Sequence, residues 1–133
     1  MSEYEKPLPR PTATSRPFWE AAKRHELMLQ RCAGCQAFIY YPRDRCPHCL
    51  SDELQWQRVS GRGKLYTYTI VRRASTRSFA DSPYVLAIVE LDEGPRMTTN
   101  LEAAPEQIKI GMPVTAYFDD VTSQHTLVKF RPA

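Results

Sequence analysis

A chain of 133 residues with 18 basic and 15 acidic side chains carries a formal net charge of +3. That length fits one domain, or two very small ones sharing an interface. The charge is evenly spread, with nine basic and seven acidic residues before Ser60 and nine and eight from there on, so neither half offers the cationic surface that nucleic-acid phosphates demand. No stretch nears the roughly 18 continuous apolar residues of a membrane span. Residues Met1 to Lys6 are polar and charged rather than a signal peptide, so the chain is expected in the cytoplasm.

The first segment, residues 1–26, reads as an arm followed by a helix. Pro7, Pro9 and Pro11 favour an extended arm. Helical pattern begins at Pro17, or slightly earlier at Ser15. Proline suits the first helical position, Glu20 suits the first turn's dipole, and Phe18, Trp19 and Ala22 share a face. So short a helix needs something to pack against. Phe18 and Trp19 are therefore core residues or candidate contacts to a partner protein.

The second segment, residues 27–59, reads as a metal ribbon. Leu27–Arg31 is expected as a strand entering a turn and Ala37–Tyr41 as the strand leaving it, ended by Pro42. Leu54–Val59 alternates apolar and polar residues. Between them lie all four cysteines, as Cys32-Ala-Gly-Cys35 and Cys46-Pro-His-Cys49. Each pair sits on a tight turn that brings two thiolates to one ion, and the insert folds the second turn onto the first. A reducing cytoplasm argues against two disulfides. A structural Zn²⁺ is the expected cofactor, although four soft sulfurs suit iron as well. His48 lies between Cys46 and Cys49, where geometry opposes ligation, and reads as a solvent-facing turn residue.

The third segment, residues 60–133, is all-β in pattern. Expected strands are Lys64–Val71, Tyr84–Leu91, Arg96–Leu101, Val114–Phe118 and Thr126–Phe130. The second is apolar on both faces and reads as central. Asp92-Glu93-Gly94-Pro95 marks a hairpin turn, and Glu102–Gln107 a short helix or turn. Five strands with glycine kinks and one longer break fit an oligonucleotide/oligosaccharide-binding (OB) barrel. The fold class is thus mainly β: an N-terminal helical arm, a zinc ribbon and a C-terminal five-stranded OB-fold barrel. Arg72, Arg73 and Arg77 follow the first barrel strand with Phe79 close by. They are candidate ligand-binding residues, with guanidinium groups for phosphates and a ring for stacking.

Catalysis finds little support. Four thiolates close a tetrahedral site against activated water. His25, His48 and His125 are scattered, and Asp119-Asp120 reads as a solvated turn. Gly61-Arg62-Gly63 is too short for a phosphate loop and precedes a strand. The chain is not expected to be an enzyme.

The order of elements carries more than any one of them. Pro17-Phe18-Trp19, Leu29-Gln30-Arg31-Cys32-Ala33-Gly34-Cys35, Tyr41-Pro42-Arg43 and Cys46-Pro47-His48-Cys49 resemble the DUF35 family. The likeness runs on through Val59–Thr69, Pro83–Leu91, Ile110–Val114 and Phe130-Arg131-Pro132. That resemblance implies a rubredoxin-like zinc ribbon joined to an OB fold, in a non-catalytic accessory subunit of acyl-CoA metabolism. The implied partners are thiolase-like enzymes, including lipid-transfer-protein-type thiolases, aldolases and hydroxymethylglutaryl-CoA synthase, or MaoC-type enoyl-CoA hydratases. The implied role is to bridge or stabilise them, or to help pass a CoA thioester between sites. Two departures stand out. The family's glycine after each cysteine pair, suited to a left-handed turn, is here Gln36 and Leu50. Where a glycine usually precedes the first ribbon strand, this chain has Arg24-His25-Glu26. The alternative reading is a single-stranded nucleic-acid binder, with Tyr66 and Tyr68 stacking bases from one face of a strand; the even charge counts against it.

Overall fold

The computed structural model describes residues 8–72 and 84–133. Helix α1 (Arg16–Lys23) is followed by strands β1 (Met28–Cys32), β2 (Phe38–Ile39) and β3 (Leu54–Arg58). Then come β4 (Arg62–Val71), β5 (Tyr84–Leu91), β6 (Arg96–Asn100), a 3₁₀ turn at Pro105–Gln107, β7 (Pro113–Asp119) and β8 (Leu127–Pro132). Every strand pairing within the two sheets is antiparallel: β2-β1-β3 forms the ribbon and β6-β5-β4-β7-β8 the OB fold.

Helix α1 starts at Ser15, whose hydroxyl turns back to accept from the Thr12 N–H at 2.9 Å rather than capping the helix. Pro17 falls in the first turn, where its missing N–H costs nothing. The helix ends in a Schellman turn: the His25 N–H bonds the Ala22 carbonyl at 2.8 Å and the Glu26 N–H that of Ala21 at 2.9 Å. His25 takes the left-handed position, φ 62°, usually filled by glycine.

A single apolar core joins the two sheets. Phe18 from α1, Leu27 and Leu29 from the ribbon, and Val59 from the linker pack with Leu65, Val89, Met97, Val114 and Phe130 of the barrel. The ribbon therefore has its root in the barrel core. Strand β4 is long enough to pair with both β5 and β7, and Gly63 sits where they crowd it. A Cβ there would lie 2.3 Å from the Glu90 carbonyl oxygen, so no larger residue fits without moving backbone.

Two expectations are corrected. A bulge between Leu65 and Thr67 shifts the β4 register. It leaves Tyr66 47% exposed while Tyr68 packs against the core, so the two rings do not share a face. Strand β5 is central, but its outer face is not covered: burial alternates along it and Leu86 remains exposed. Its apolar residues follow the in-and-out period of a sheet with one open face.

The sheet curls until its edges meet. Leu101 and Phe130 form an isolated bridge, with the Glu102 N–H on the Phe130 carbonyl at 2.9 Å. A second tie runs from the arm to the far end of β7. The His25 ring stacks on Phe118 with centroids 5.3 Å apart, and its Nε2 lies 2.9 Å from Asp120 Oδ2. The other oxygen of Asp120 accepts the Thr126 hydroxyl.

The Thr126 hydroxyl first, and His25 second, hold the Asp120 carboxyl below the usual carboxylate range. A lowered folded-state value stabilises the fold above the unfolded carboxylate pKa, and that contribution is lost as pH falls through the folded value. Asp120→Asn is therefore expected to lower the melting temperature at pH 6, with the gap to wild type closing below about pH 4. Thermal melts across that range check it; a gap that persists in acid contradicts the assignment.

Candidate metal centre and flanking clefts

The two cysteine turns are built alike. In the first, the Cys32 N–H bonds the Ala37 carbonyl at 2.9 Å and the Gln36 N–H bonds that of Cys32 at 2.8 Å. In the second, the Cys46 N–H bonds the Ser51 carbonyl at 2.9 Å and the Leu50 N–H that of Cys46 at 2.9 Å. Gln36 and Leu50 close the turns at φ 68° and 65°. These are the positions where the sequence departs from glycine, and the side chains are carried in the left-handed region at a cost of about 1 kcal/mol each.

The turns bring Cys32, Cys35, Cys46 and Cys49 together, with all four sulfurs within 4.8 Å of one another. Cys32 lies 3.6 Å from Cys49 and Cys35 3.5 Å from Cys46, sulfur to sulfur. Metal–sulfur bonds of about 2.3 Å in a tetrahedron require sulfur separations of roughly 3.8 Å, so the cage fits one ion. Backbone amides support the sulfurs, with the Cys35 N–H 3.5 Å from Cys32 Sγ and the His48 N–H 3.3 Å from Cys46 Sγ. His48 enters the site through that amide, and its side chain is exposed.

The thiols are not equivalent. The Cys35 amide, with further help from the Cys49 thiol, lowers Cys32 to about 7. Burial pushes Cys46 up, but the amides of Cys49 and His48 outweigh it and the net shift is downward. At Cys49 the Ser51 amide pulls down, while the Cys32 thiol, burial and the other two thiols together push it up to about 11. Cys35 is likewise raised, the Ala37 amide being outweighed by the Cys46 thiol and burial. The two buried cysteines thus lose their protons more readily than the two exposed ones. A bound divalent cation supplies the charge that holds all four deprotonated.

One determinant of the site escapes the sequence patterns. Gln30 is 5% exposed on β1. Its Nε2 donates to the Arg43 carbonyl at 2.8 Å and its Oε1 accepts the Arg43 N–H at 2.7 Å. The amide acts as a strand rung for the loop leading into the second turn. A glutamine in an alternating strand gives no sign of facing inward, so only the pairing reveals it.

Two clefts flank the ribbon. One, of about 530 Å³, lies between the ribbon and the β5–β6 hairpin, with Phe38, Arg43, His48 and Glu93 on its walls. The other, of about 180 Å³, lies between α1 and the meeting edges of the sheet, lined by Phe18, Trp19, Tyr40, Thr98 and Lys129 among others. Phe18 is 3% exposed and belongs to the core, while Trp19 stands edge-on to it at 5.0 Å and stays partly exposed. Arg72 is exposed just beyond β4; Arg73, Arg77 and Phe79 lie outside the described residues.

A short helix, a four-cysteine ribbon and a five-stranded curled sheet on one core define a zinc-ribbon-plus-OB-fold architecture. Family models agree: residues 19–55 match the rubredoxin-like zinc ribbon domain of ChsH2 and residues 56–119 its C-terminal OB-fold domain. The chain belongs to the DUF35 family. A DUF35 domain-containing scaffold protein of Methanocaldococcus jannaschii is 39% identical over 103 residues, 75% of this chain and 73% of that one. A probable enoyl-CoA hydratase alpha subunit of Thermomonospora curvata is 42% identical over 118 residues, which is 87% of this chain but 37% of the relative. The chain thus spans little more than a third of that protein. A chain of the solved Ltp2–ChsH2(DUF35) aldolase superposes with a TM-score of 0.83 at 38% identity, covering 93% of this chain and 98% of that one.

The left-handed turns make a direct forecast. Leu50→Gly relieves a strained residue that is 70% exposed and has little packing to lose. It should raise stability by up to about 1 kcal/mol, read as a higher denaturation midpoint of the metal-loaded protein. A lower midpoint would show that the Leu50 side chain contributes more than its backbone costs.

Proposed function

We propose that this chain is a non-catalytic accessory subunit that docks on a thiolase-like or MaoC-type hydratase enzyme of acyl-CoA metabolism, in the cytoplasm. The observation that carries the reading is the near end-to-end likeness to the DUF35 chain of the Ltp2–ChsH2(DUF35) aldolase. Relatives named as scaffold proteins and as a hydratase subunit support it from two sides. The cage supports the non-catalytic part. Four thiolates complete a tetrahedral ion and leave no position for water or substrate.

The ion is Zn²⁺ in this reading, held by Cys32, Cys35, Cys46 and Cys49 as a structural staple. Trp19 supplies contact to the enzyme, with Phe18 fixing it from behind. Arg72, Arg73, Arg77 and Phe79, between β4 and β5 in the sequence, are the candidate contacts to the phosphates and base of CoA in this reading. The nucleic-acid alternative gains nothing from the geometry, since the bulge separates Tyr66 from Tyr68.

Purification from the native host tests this reading. The chain should elute with a thiolase-like or MaoC-type enzyme, carry about one zinc per chain with negligible iron, and raise that enzyme's solubility or activity when the two are mixed. A chain that elutes alone and leaves such an enzyme unchanged overturns the proposal. Stoichiometric iron with a thiolate charge-transfer colour overturns the choice of metal.

A further inference from the structure

Alternation along β1 puts Gln30 and Cys32 on one face of the ribbon sheet, while Leu29 turns the other way into the barrel core. The chain returns to the Gln30 face between Arg43 and Cys46. Arg43 meets it at Gln30, through both of its main-chain groups. Cys46 meets it at the cage, its sulfur within 4.8 Å of that of Cys32.

Few other bonds hold this approach to the second cysteine turn. Strand β2 ends at Ile39 and, among the described residues, residues 42–45 make no backbone–backbone hydrogen bond. Two side-chain ties accompany the Gln30 pair: the Thr14 hydroxyl on Asp44 Oδ1 at 2.9 Å and the Arg45 guanidinium on the Leu50 carbonyl at 3.3 Å. Both are exposed, and the second stays within the turn itself. Past the turn, main chain takes over. The Ala33 N–H bonds the Glu53 carbonyl at 2.8 Å, and Leu54 pairs with Cys32. The second turn thus has a strand behind it and a glutamine ahead of it.

We propose that Gln30 is a positioning residue for the metal, raising the cage's affinity for its ion by fixing the approach to Cys46 without touching a ligand. The inference rests on the reading of the cage as a metal staple and deepens it. The far half of the ribbon orders as the ion binds, so any contact made only in the ordered state adds to the apparent affinity. Linkage makes the effect reciprocal: the ion in turn secures the Gln30–Arg43 pair. Gln30 is 5% exposed, so its amide finds little water when that pair is broken. Groups that hold metal-binding side chains in place typically contribute ten- to a hundredfold in affinity. A neutral pair acting one short loop away from the sulfur belongs at the lower end, about tenfold.

Gln30→Met removes both bonds while keeping the length of the side chain. In competition with a chromophoric chelator, the variant should hold Zn²⁺ about tenfold more weakly than wild type. Loaded with Co²⁺ it should keep the wild-type ligand-field absorption, since four thiolates still bind. Without metal it should melt as metal-free wild type does, since the barrel core is untouched. In wild type itself, the Arg43 amide should exchange slowly with solvent when Zn²⁺ is bound and quickly after chelation, a measurement independent of whether the variant folds. An unchanged dissociation constant, or an Arg43 amide that exchanges freely in the loaded wild type, overturns the proposal. So does a variant that melts lower without metal yet binds Zn²⁺ as tightly, the mark of a glutamine that only packs. An altered cobalt spectrum overturns it too, because the ligands themselves have then moved. If wild type takes up no metal, the staple reading falls and this inference with it.

Discussion

The far half of the ribbon buries little apolar surface and depends on the convergence of four sulfurs. Its buried apolar cluster comprises Cys32, Ile39 and Cys46, with Leu54 against it, and two of those three residues belong to the four-cysteine cage. Burial of one isoleucine supplies about 3 kcal/mol at most, too little to order two turns with residues in the left-handed region. An ion held by the four cysteines would supply the missing cross-link. The near half, by contrast, is rooted through Leu27, Leu29 and Val59 in the barrel core. One short sheet thus depends on coordination at one end and on hydrophobic packing at the other.

That division explains where binding surfaces fall. Four thiolates would seal a bound ion from solvent, and the ribbon they gather forms a wall of the cleft beside the β5–β6 hairpin. Helix α1 performs the matching task on the other side. Phe18 enters the core and fixes Trp19 beside the smaller cleft, while His25 ties the helix end to Asp120 and Phe118. The Schellman turn accepts a histidine in glycine's place because its side chain gains those two contacts across to the barrel. Local backbone cost and long-range contact offset each other at that one residue.

Much of this was legible in the sequence, for identifiable reasons. Cysteine spacing fixes the cage because few other structures place four thiols in that register. The strand runs are visible because β-branched and aromatic residues cluster between glycine and proline breaks. The missing glycines after each cysteine pair also reported correctly, since Gln36 and Leu50 do sit at positive φ. Less visible were features that depend on pairing. The bulge at Leu65–Thr67 turns one tyrosine out and the next in, and no local pattern announces it. Leu86 looks like a buried residue in an apolar run, yet it faces outward because only one side of β5 is covered. Gln30 reads as an ordinary polar strand residue, and its role as a substitute ladder group appears only once the Arg43 loop is placed beside β1.

Amide hydrogen exchange of the metal-loaded chain, before and after removal of the ion with a chelator, tests the division most directly. The account predicts that protection is lost from Cys32 through Leu54 while β4 to β8 keep theirs, since the barrel core does not depend on the ion. Collapse of protection throughout the chain, or a ribbon that stays protected without metal, would contradict it.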